Sequence, residues 1–122
     1  MHYYNEQSYK IYLIYAEIND TIQWKIGITK DINKRIKQLQ TGNPNIVDVV
    51  SFYEINNREL AYKVEADIKR VLKKYKIQGE WYLYESLDND IFLQQCIKSE
   101  NNMRILQDIT NNIKETLIKN KT

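Results

Sequence analysis

Apolar and polar residues alternate in three segments of the first half of the chain, and this period of two predicts three strands. The segments are residues 9–16, 22–28 and 46–54, and all three are rich in the Ile, Val and Tyr that strands favour. Asn19 and Asp20 are a turn signal in the short gap between the first two segments. The pattern therefore favours an antiparallel hairpin followed by a third strand.

A helical period of apolar residues separates the second and third strands. Ile32, Ile36 and Leu39 form a stripe in a helix that runs to about residue 40, and either Thr29 or Asp31 can cap it. The sequence 41–44, which contains a glycine and a proline, is a stop signal. Arg35 falls about 60° from Ile32 on such a helix, so it lies on the edge of the buried stripe.

A second helix is predicted after the third strand, from about residue 58 to about residue 75. The run Asn56-Asn57-Arg58-Glu59 resembles a cap with an acidic residue three positions on. Glu65 lies just outside the apolar stripe, and Lys69 is one turn further along the same edge. The stripe itself consists of Leu60, Val64, Ile68, Val71, Leu72 and Tyr75.

The last third of the chain follows a short extended segment, 81–84, and is helical in pattern. A polar stretch at 99–102 indicates a joint between two helices, and the second of them carries an apolar stripe, Leu106, Ile109, Ile113 and Leu117. This stripe packs either on the first part of the chain or against a second chain, so a homodimer through the C-terminal helices is one expectation. We predict an α+β fold with a three-stranded antiparallel sheet flanked by helices over residues 9–85, and a helical C-terminal extension over 86–122.

Composition narrows the class of protein without deciding its function. A chain of 122 residues is enough for one domain with a modest core, and its net charge of +2 is nearly neutral. One cysteine, Cys96, excludes an internal disulfide and a cysteine-based zinc site, and its apolar neighbours predict a buried position. We see no apolar run of membrane-spanning length and no signal peptide, so we expect a cytoplasmic protein without membrane contact.

The basic residues are concentrated in two predicted helices. Residues 25–37 and 69–76 together hold ten basic side chains and one acidic side chain. This distribution fits either a surface that faces phosphate groups or the solvated lysine face that many soluble helices carry. The charge alone does not choose between them.

Five short features occur in an order that suits a site for phosphodiester cleavage. Tyr12 lies on the first strand, Lys25-Ile26-Gly27 on the second, and Arg35 on the helix that follows. Glu65 lies on the next helix, and Gly79-Glu80-Trp81-Tyr82 comes after it. Arginine offers phosphate a bidentate fork and keeps its charge, and a carboxylate is the natural ligand of magnesium.

On these residues, the stretch from about 9 to 84 resembles the GIY-YIG nuclease superfamily, in its short phage- and bacterial-type branch. The first tripeptide is Lys10-Ile11-Tyr12 and the second is Lys25-Ile26-Gly27. The resemblance implies a metal-dependent DNA endonuclease that uses one Mg²⁺ or Mn²⁺ ion. It also implies the phage or mobile-element setting of that branch.

The resemblance assigns a role to each matched residue. It implies that Tyr12 orients or helps to deprotonate the attacking water and that Gly27 allows close approach of the chain and the substrate. Arg35 would hold the scissile phosphate, and Glu65 would bind the metal. Lys25 would act in the catalytic group, and three further lysines, Lys30, Lys34 and Lys69, would contact substrate.

Two positions depart from the superfamily pattern. Lys25 stands where the superfamily's name has tyrosine, and Lys69 stands where the branch often has histidine. A lysine with a pKa near 10.4 is a poor base at neutral pH unless it is desolvated. An alternative function is therefore a nucleic-acid-binding or protein-interaction module that has kept the fold and lost the chemistry.

Each residue of the group also has a purely structural interpretation. Tyr12 can pack on a strand, and Gly27 can mark a bulge or a close approach of two strands. Arg35 can pair with an acid on a neighbouring element, and Glu65 can be half of an ion pair with Lys69. Trp81 is expected in the core.

Overall fold

The computed structural model describes residues 7–18, 20–41, 47–78, 81–83 and 89–120. Five strands and three α-helices lie in these residues, with a 3₁₀ turn at Lys73–Tyr75. The elements are β1 (Tyr9–Ile18), β2 (Thr21–Thr29), α1 (Ile32–Thr41), β3 (Val47–Ile55), α2 (Arg58–Val71), β4 (Lys76–Gln78), β5 (Trp81–Leu83) and α3 (Asn89–Asn120). The α+β fold is confirmed.

The strands form one antiparallel sheet in the order β3-β1-β2-β5-β4. Strands β1 and β2 make the predicted hairpin, in which Tyr12 lies directly opposite Gly27. Asp20 at its tip has a φ of 61°, a left-handed conformation that aspartate tolerates better than most residues. The three predicted strands are present, and β5 and β4 extend the sheet beyond β2.

The two faces of the sheet support separate cores, because successive residues of a strand point to opposite sides. Ile11 and Leu13 of β1 face a core that includes α2, α3 and Tyr82 of β5. Tyr12, Ile14 and Ala16 of the same strand face a second core that Ile32, Ile36 and Leu39 of α1 cover. Helices α1 and α2 therefore pack on opposite faces of one sheet.

Local hydrogen bonds fix where α1 and α2 begin. Lys34 N donates to Asp31 Oδ1 at 3.0 Å, so Asp31 is the capping residue of α1. Leu60 N donates to Asn57 Oδ1 at 2.9 Å, so the predicted run contains the cap of α2 and Asn57 is its capping residue. The glycine–proline stop signal after α1 lies outside the described residues.

The predicted joint at residues 99–102 is wrong, because α3 is one continuous helix of 32 residues. Ser99 and Glu100 of this stretch form hydrogen bonds without a break in the backbone. Gln95 Nε2 donates to the buried Ser99 Oγ at 2.9 Å, and Glu100 accepts hydrogen bonds from Arg104 and from Tyr53 of β3. A proline interrupts a helix because it lacks a backbone N–H group and clashes with the preceding turn. This polar stretch contains no proline and no glycine, so the backbone hydrogen bonds of the helix continue through it.

The first half of α3 packs on the domain, and its distal part is exposed. Phe92, Cys96 and Ser99 are buried, whereas every residue from 104 to 120 is exposed. The proposed domain boundary at 85/86 lies outside the described residues. No helix in the described part of the chain is both long enough and apolar enough to cross a membrane.

Candidate nucleic-acid site

Tyr12 lies in the middle of β1 and points towards α1. Its side chain is only 2% exposed. Its hydroxyl oxygen accepts a hydrogen bond from Arg35 Nε at 3.2 Å. The tyrosine and the arginine that the resemblance matched are therefore in direct contact, although 23 residues separate them in the chain.

Gly27 is required by the ring of Tyr12. A Cβ atom built on Gly27 would lie 2.1 Å from the Tyr12 hydroxyl oxygen and 2.3 Å from the ring carbon that carries it. No non-bonded carbon atom tolerates such distances. The glycine leaves room for the phenol over β2, where the hydroxyl lies within reach of Arg35.

Arg35 is held on the first turns of α1, where its amide donates to the carbonyl oxygen of Asp31 at 3.0 Å. Its side chain is half-buried, on the edge of the apolar stripe as predicted. Among the described residues, the guanidinium forms no ion pair with a carboxylate. Its two terminal nitrogens are therefore left to bind an anion, and the predicted alternative of a pairing acid is not observed.

Lys25 lies on the same face of the sheet as Gly27, two residues earlier on β2. Its backbone pairs with Ile14 on one side and with Trp81 of β5 on the other. Its ammonium nitrogen lies 5.7 Å from the centre of the Trp81 indole. Lys25 thus adds a cation to the face that holds Tyr12 and Arg35.

Glu65 and Lys69 do not join this group. They lie on α2, and the apolar stripe of this helix packs on the opposite face of the sheet. In the described part of the chain, no hydrogen bond or ion pair joins Glu65 to Tyr12 or Arg35. Glu65 Oε2 lies 3.6 Å from Lys69 Nζ, which is the i, i+4 pair of the structural interpretation. The helix that carries Glu65 thus packs on the face opposite α1, and convergence of its carboxylate with Tyr12 and Arg35 stays a prediction.

Glu65 is the carboxylate that the resemblance implies as the ligand of a divalent metal. Glu65 is a partly buried carboxylate, and magnesium often needs only one or two such ligands. However, its helix packs on the face opposite Arg35. Among the described residues, no group of three carboxylate, histidine or cysteine side chains lies close enough to hold an ion.

The two lysines of the α1 region are placed differently from each other. Lys34 is exposed on α1, beside Arg35 in sequence. Lys30 is exposed at the turn before α1, and its ammonium nitrogen lies 5.1 Å from the centre of the Tyr9 ring. Tyr9 packs on the α2 side of the sheet, so Lys30 points away from the Tyr12–Arg35 contact.

Lys10 is a site-supporting residue that the sequence analysis missed. It is completely buried, and its ammonium donates to the carbonyl oxygens of Ser8 at 3.0 Å and of Lys30 at 2.9 Å. These bonds tie the start of β1 to the turn that precedes α1. Lys10 lies two residues before Tyr12 on β1, so both side chains point to the same face of the sheet. This spacing was the signal in the sequence that Lys10 points inward.

Burial raises the pKa of two groups on the opposite side of the sheet. The Cys96 thiol has no exposed surface, and its burial raises the pKa to about 12. Burial also raises the pKa of the Tyr53 phenol, and the hydrogen bond to the Glu100 carboxylate adds to this shift. Both groups stay protonated at neutral pH and serve packing.

Comparison with known proteins gives the chain a family. The model of the T5orf172 domain matches residues 9–104. Uncharacterized protein 460R of Invertebrate iridescent virus 6 is 31% identical over 75 residues, which are 59% of this chain and 33% of the viral protein. The chain thus spans about a third of the length of that curated relative, and no solved structure matches it. Because the family model covers well over half of the chain, the protein belongs to the T5orf172 domain family, in the GIY-YIG and homing-endonuclease-like superfamily context that its motifs resemble.

Proposed function

We propose that this protein hydrolyses phosphodiester bonds of DNA at the Tyr12–Arg35 contact. The observation that carries the proposal is the half-buried guanidinium of Arg35, which has no carboxylate partner in the described residues and lies against the Tyr12 hydroxyl. A partly desolvated cation without a counter-ion attracts an anion strongly. Membership of a family with nuclease-like and DNA-binding character makes a backbone phosphate the natural candidate.

Arg35 and Tyr12 have different roles in the proposed reaction. The terminal nitrogens of Arg35 hold two phosphate oxygens, on which negative charge grows as water attacks phosphorus. The bond from phosphorus to the leaving oxygen breaks, the attacking water gives a proton to solvent, and the leaving oxygen takes a proton from solvent to become a hydroxyl. Because the Tyr12 oxygen accepts its bond from Arg35, the phenolic hydrogen stays available to orient the water or an oxygen of the phosphate.

A divalent ion, Mg²⁺ or Mn²⁺, is part of the proposal through the resemblance. Such an ion would polarise the phosphate and make hydroxide more available. We expect cleavage to need added metal and to stop with EDTA. Glu65→Ala tests the ligand: loss of metal-dependent cleavage with DNA binding retained supports Glu65, and full cleavage by this variant means that the ion is held elsewhere.

The central experiment is cleavage of supercoiled DNA with magnesium or manganese. We expect nicked or linear product from the native chain, and about a 100- to 1000-fold lower rate from Arg35→Ala, because one preorganised donor to the phosphate is lost. Arg58→Ala removes an exposed arginine from α2 and serves as the matched control. Equal rates for Arg35→Ala and the native chain would refute the site.

A second candidate function is DNA binding without cleavage, and the position of Glu65 favours it. The residue that the resemblance implies as metal ligand is carried by the helix on the other face, and it pairs with Lys69. This alternative predicts binding that weakens steeply with salt, with no cleavage under any metal. The same cleavage assay, run beside a binding assay, separates the two functions.

We also propose that the exposed stripe of α3 pairs two copies of this chain. Leu106, Ile109, Ile113 and Leu117 are each at least 50% exposed. Antiparallel pairing would set Leu106 of one copy opposite Leu117 of the other, and Ile109 opposite Ile113, because the spacing is nearly symmetric about residue 111. Together with Ile105 beside it, the stripe exposes apolar surface that sums to roughly 1,000 Å² over the two copies. This buried area would be at the lower end of the range for specific protein–protein interfaces.

A further inference from the structure

Two signature segments of the sequence meet at one point of the sheet. Lys25 begins the second tripeptide and Trp81 belongs to the Gly79–Tyr82 segment, and the two residues are cross-strand partners in the β2–β5 pair. The ammonium of Lys25 lies 5.7 Å from the indole centre. The proposed cleavage reaction leaves the role of this pair open.

The pair lies on the face that carries the candidate site. Side chains alternate along β2, so Lys25 and Gly27 point to the same side, and Tyr12 lies over Gly27. A DNA strand held at Arg35 would therefore lie over the face that carries Lys25, and its neighbouring phosphate could approach the ammonium.

Trp81 differs from the other tryptophan of the chain. Trp24 is 6% exposed and packs in the core on the α2 side. Trp81 only borders the smaller core on the α1 side and is partly exposed. Helix α1 lies over the β1–β3 half of that face, where Ile32 and Val47 pack with Tyr12. The expectation that Trp81 belongs to the core is therefore only partly met.

We propose that Lys25 and Trp81 bind the nucleotide next to the phosphate held by Arg35. The ammonium contacts the neighbouring phosphate, and the exposed part of the indole stacks on the base. An aromatic face next to a basic group is the usual platform for unpaired bases, and stacking does not select a particular base. The ligand is therefore a single-stranded or locally unpaired stretch of DNA, and this inference rests on the proposed function.

Tryptophan fluorescence tests the stacking directly. An unstructured thymidine oligonucleotide is titrated into the native chain in EDTA, so that binding is measured without cleavage. A fluorescent label on the end of the oligonucleotide reports binding through a rise in its anisotropy. We expect quenching of the native chain, retained by Trp24→Phe and lost in Trp81→Phe, because only Trp81 faces the ligand. Trp81→Leu should bind about tenfold more weakly, the effect of losing one stacked base.

Salt dependence tests the lysine. The slope of log binding constant against log salt should fall in magnitude by about 0.7 for Lys25→Gln, the contribution of one phosphate contact to a single strand. Lys63→Gln is the control, since Lys63 is exposed on α2 and pairs with Glu59 at 3.2 Å. Its slope should equal that of the native chain.

The outcomes separate this inference from the proposed function. The inference is overturned if the oligonucleotide binds without a change in tryptophan fluorescence, or if Trp81→Leu binds it as tightly as the native chain does. Neither result would argue against cleavage at Arg35. Quenching by duplex but not by the single strand overturns base stacking. A chain that binds no DNA at all overturns both.

Discussion

Substitution of Gly27 by alanine tests the geometry of the site most directly. The new Cβ would lie 2.1, 2.3 and 2.8 Å from three atoms of the Tyr12 side chain. The tyrosine cannot swing into solvent, because it is 2% exposed and packs beneath α1. Either the ring is displaced or β1 and β2 separate locally, and both changes pull the hydroxyl away from Arg35.

The expected loss of stability is about 2 kcal/mol. Overpacking of a filled core costs about 1–3 kcal/mol, and loss of the hydrogen bond at 3.2 Å adds about 1 kcal/mol. Replacement of glycine restricts the unfolded chain, and this offsets about 0.4–1 kcal/mol. For a chain of 122 residues, the net effect corresponds to a melting temperature lower by about 8 °C.

A double-mutant cycle measured by urea unfolding checks the cause. Tyr12→Leu lacks the three atoms that the new methyl would strike, so Gly27→Ala should cost less than about 0.5 kcal/mol in that background. The coupling energy should then be close to the whole effect. An equal cost in both backgrounds, or a stable Gly27→Ala single variant, would refute the packing argument.

Three further predictions concern other parts of the molecule. Arg35→Lys should keep the charge but lose the bidentate grip and the Nε bond to Tyr12, so the cleavage rate should fall at least tenfold while circular dichroism melting changes little; a rate equal to that of the native chain would argue against direct phosphate binding. The raised pKa of Cys96 means that the unfolded thiol, with its ordinary value of 9.0, loses its proton before the folded one. The free energy of unfolding should therefore fall as pH rises from about 9 towards 12, and the Cys96→Ala variant should lack this part of the slope; identical slopes would contradict the assignment. Ile113→Lys should convert a dimer into a monomer in sedimentation experiments, whereas Ile118→Lys, which lies off the stripe at a residue 65% exposed, should not; a native chain that is monomeric at high concentration would exclude the pairing.

The sequence could predict elements whose signals are local. Alternation indicated β1, β2 and β3, and the paired asparagines before α2 indicated its cap, which forms through a bond from Asn57 to an amide three residues away. The edge position of Arg35 followed from helical geometry alone. These features depend on interactions between residues that are close in the chain, so the sequence contains the information needed to predict them.

The side of the sheet on which each helix packs could not be predicted in this way. Periodicity shows which stripe of a helix is buried, but it carries no information about the face that receives the stripe. The sequence therefore did not show that α2, the helix of Glu65, packs on the face opposite α1. Short β4 was missed because three residues are too few to show alternation.

The buried amine of Lys10 gives the corner between β1 and α1 an intrinsic probe. Amine-reactive reagents modify lysines on the surface at once, whereas this ammonium is sealed between two carbonyl groups. It becomes reactive only when the corner opens. Its slow labelling, read by mass spectrometry, would time the local breathing of the segment that carries Arg35, without any substitution in the chain.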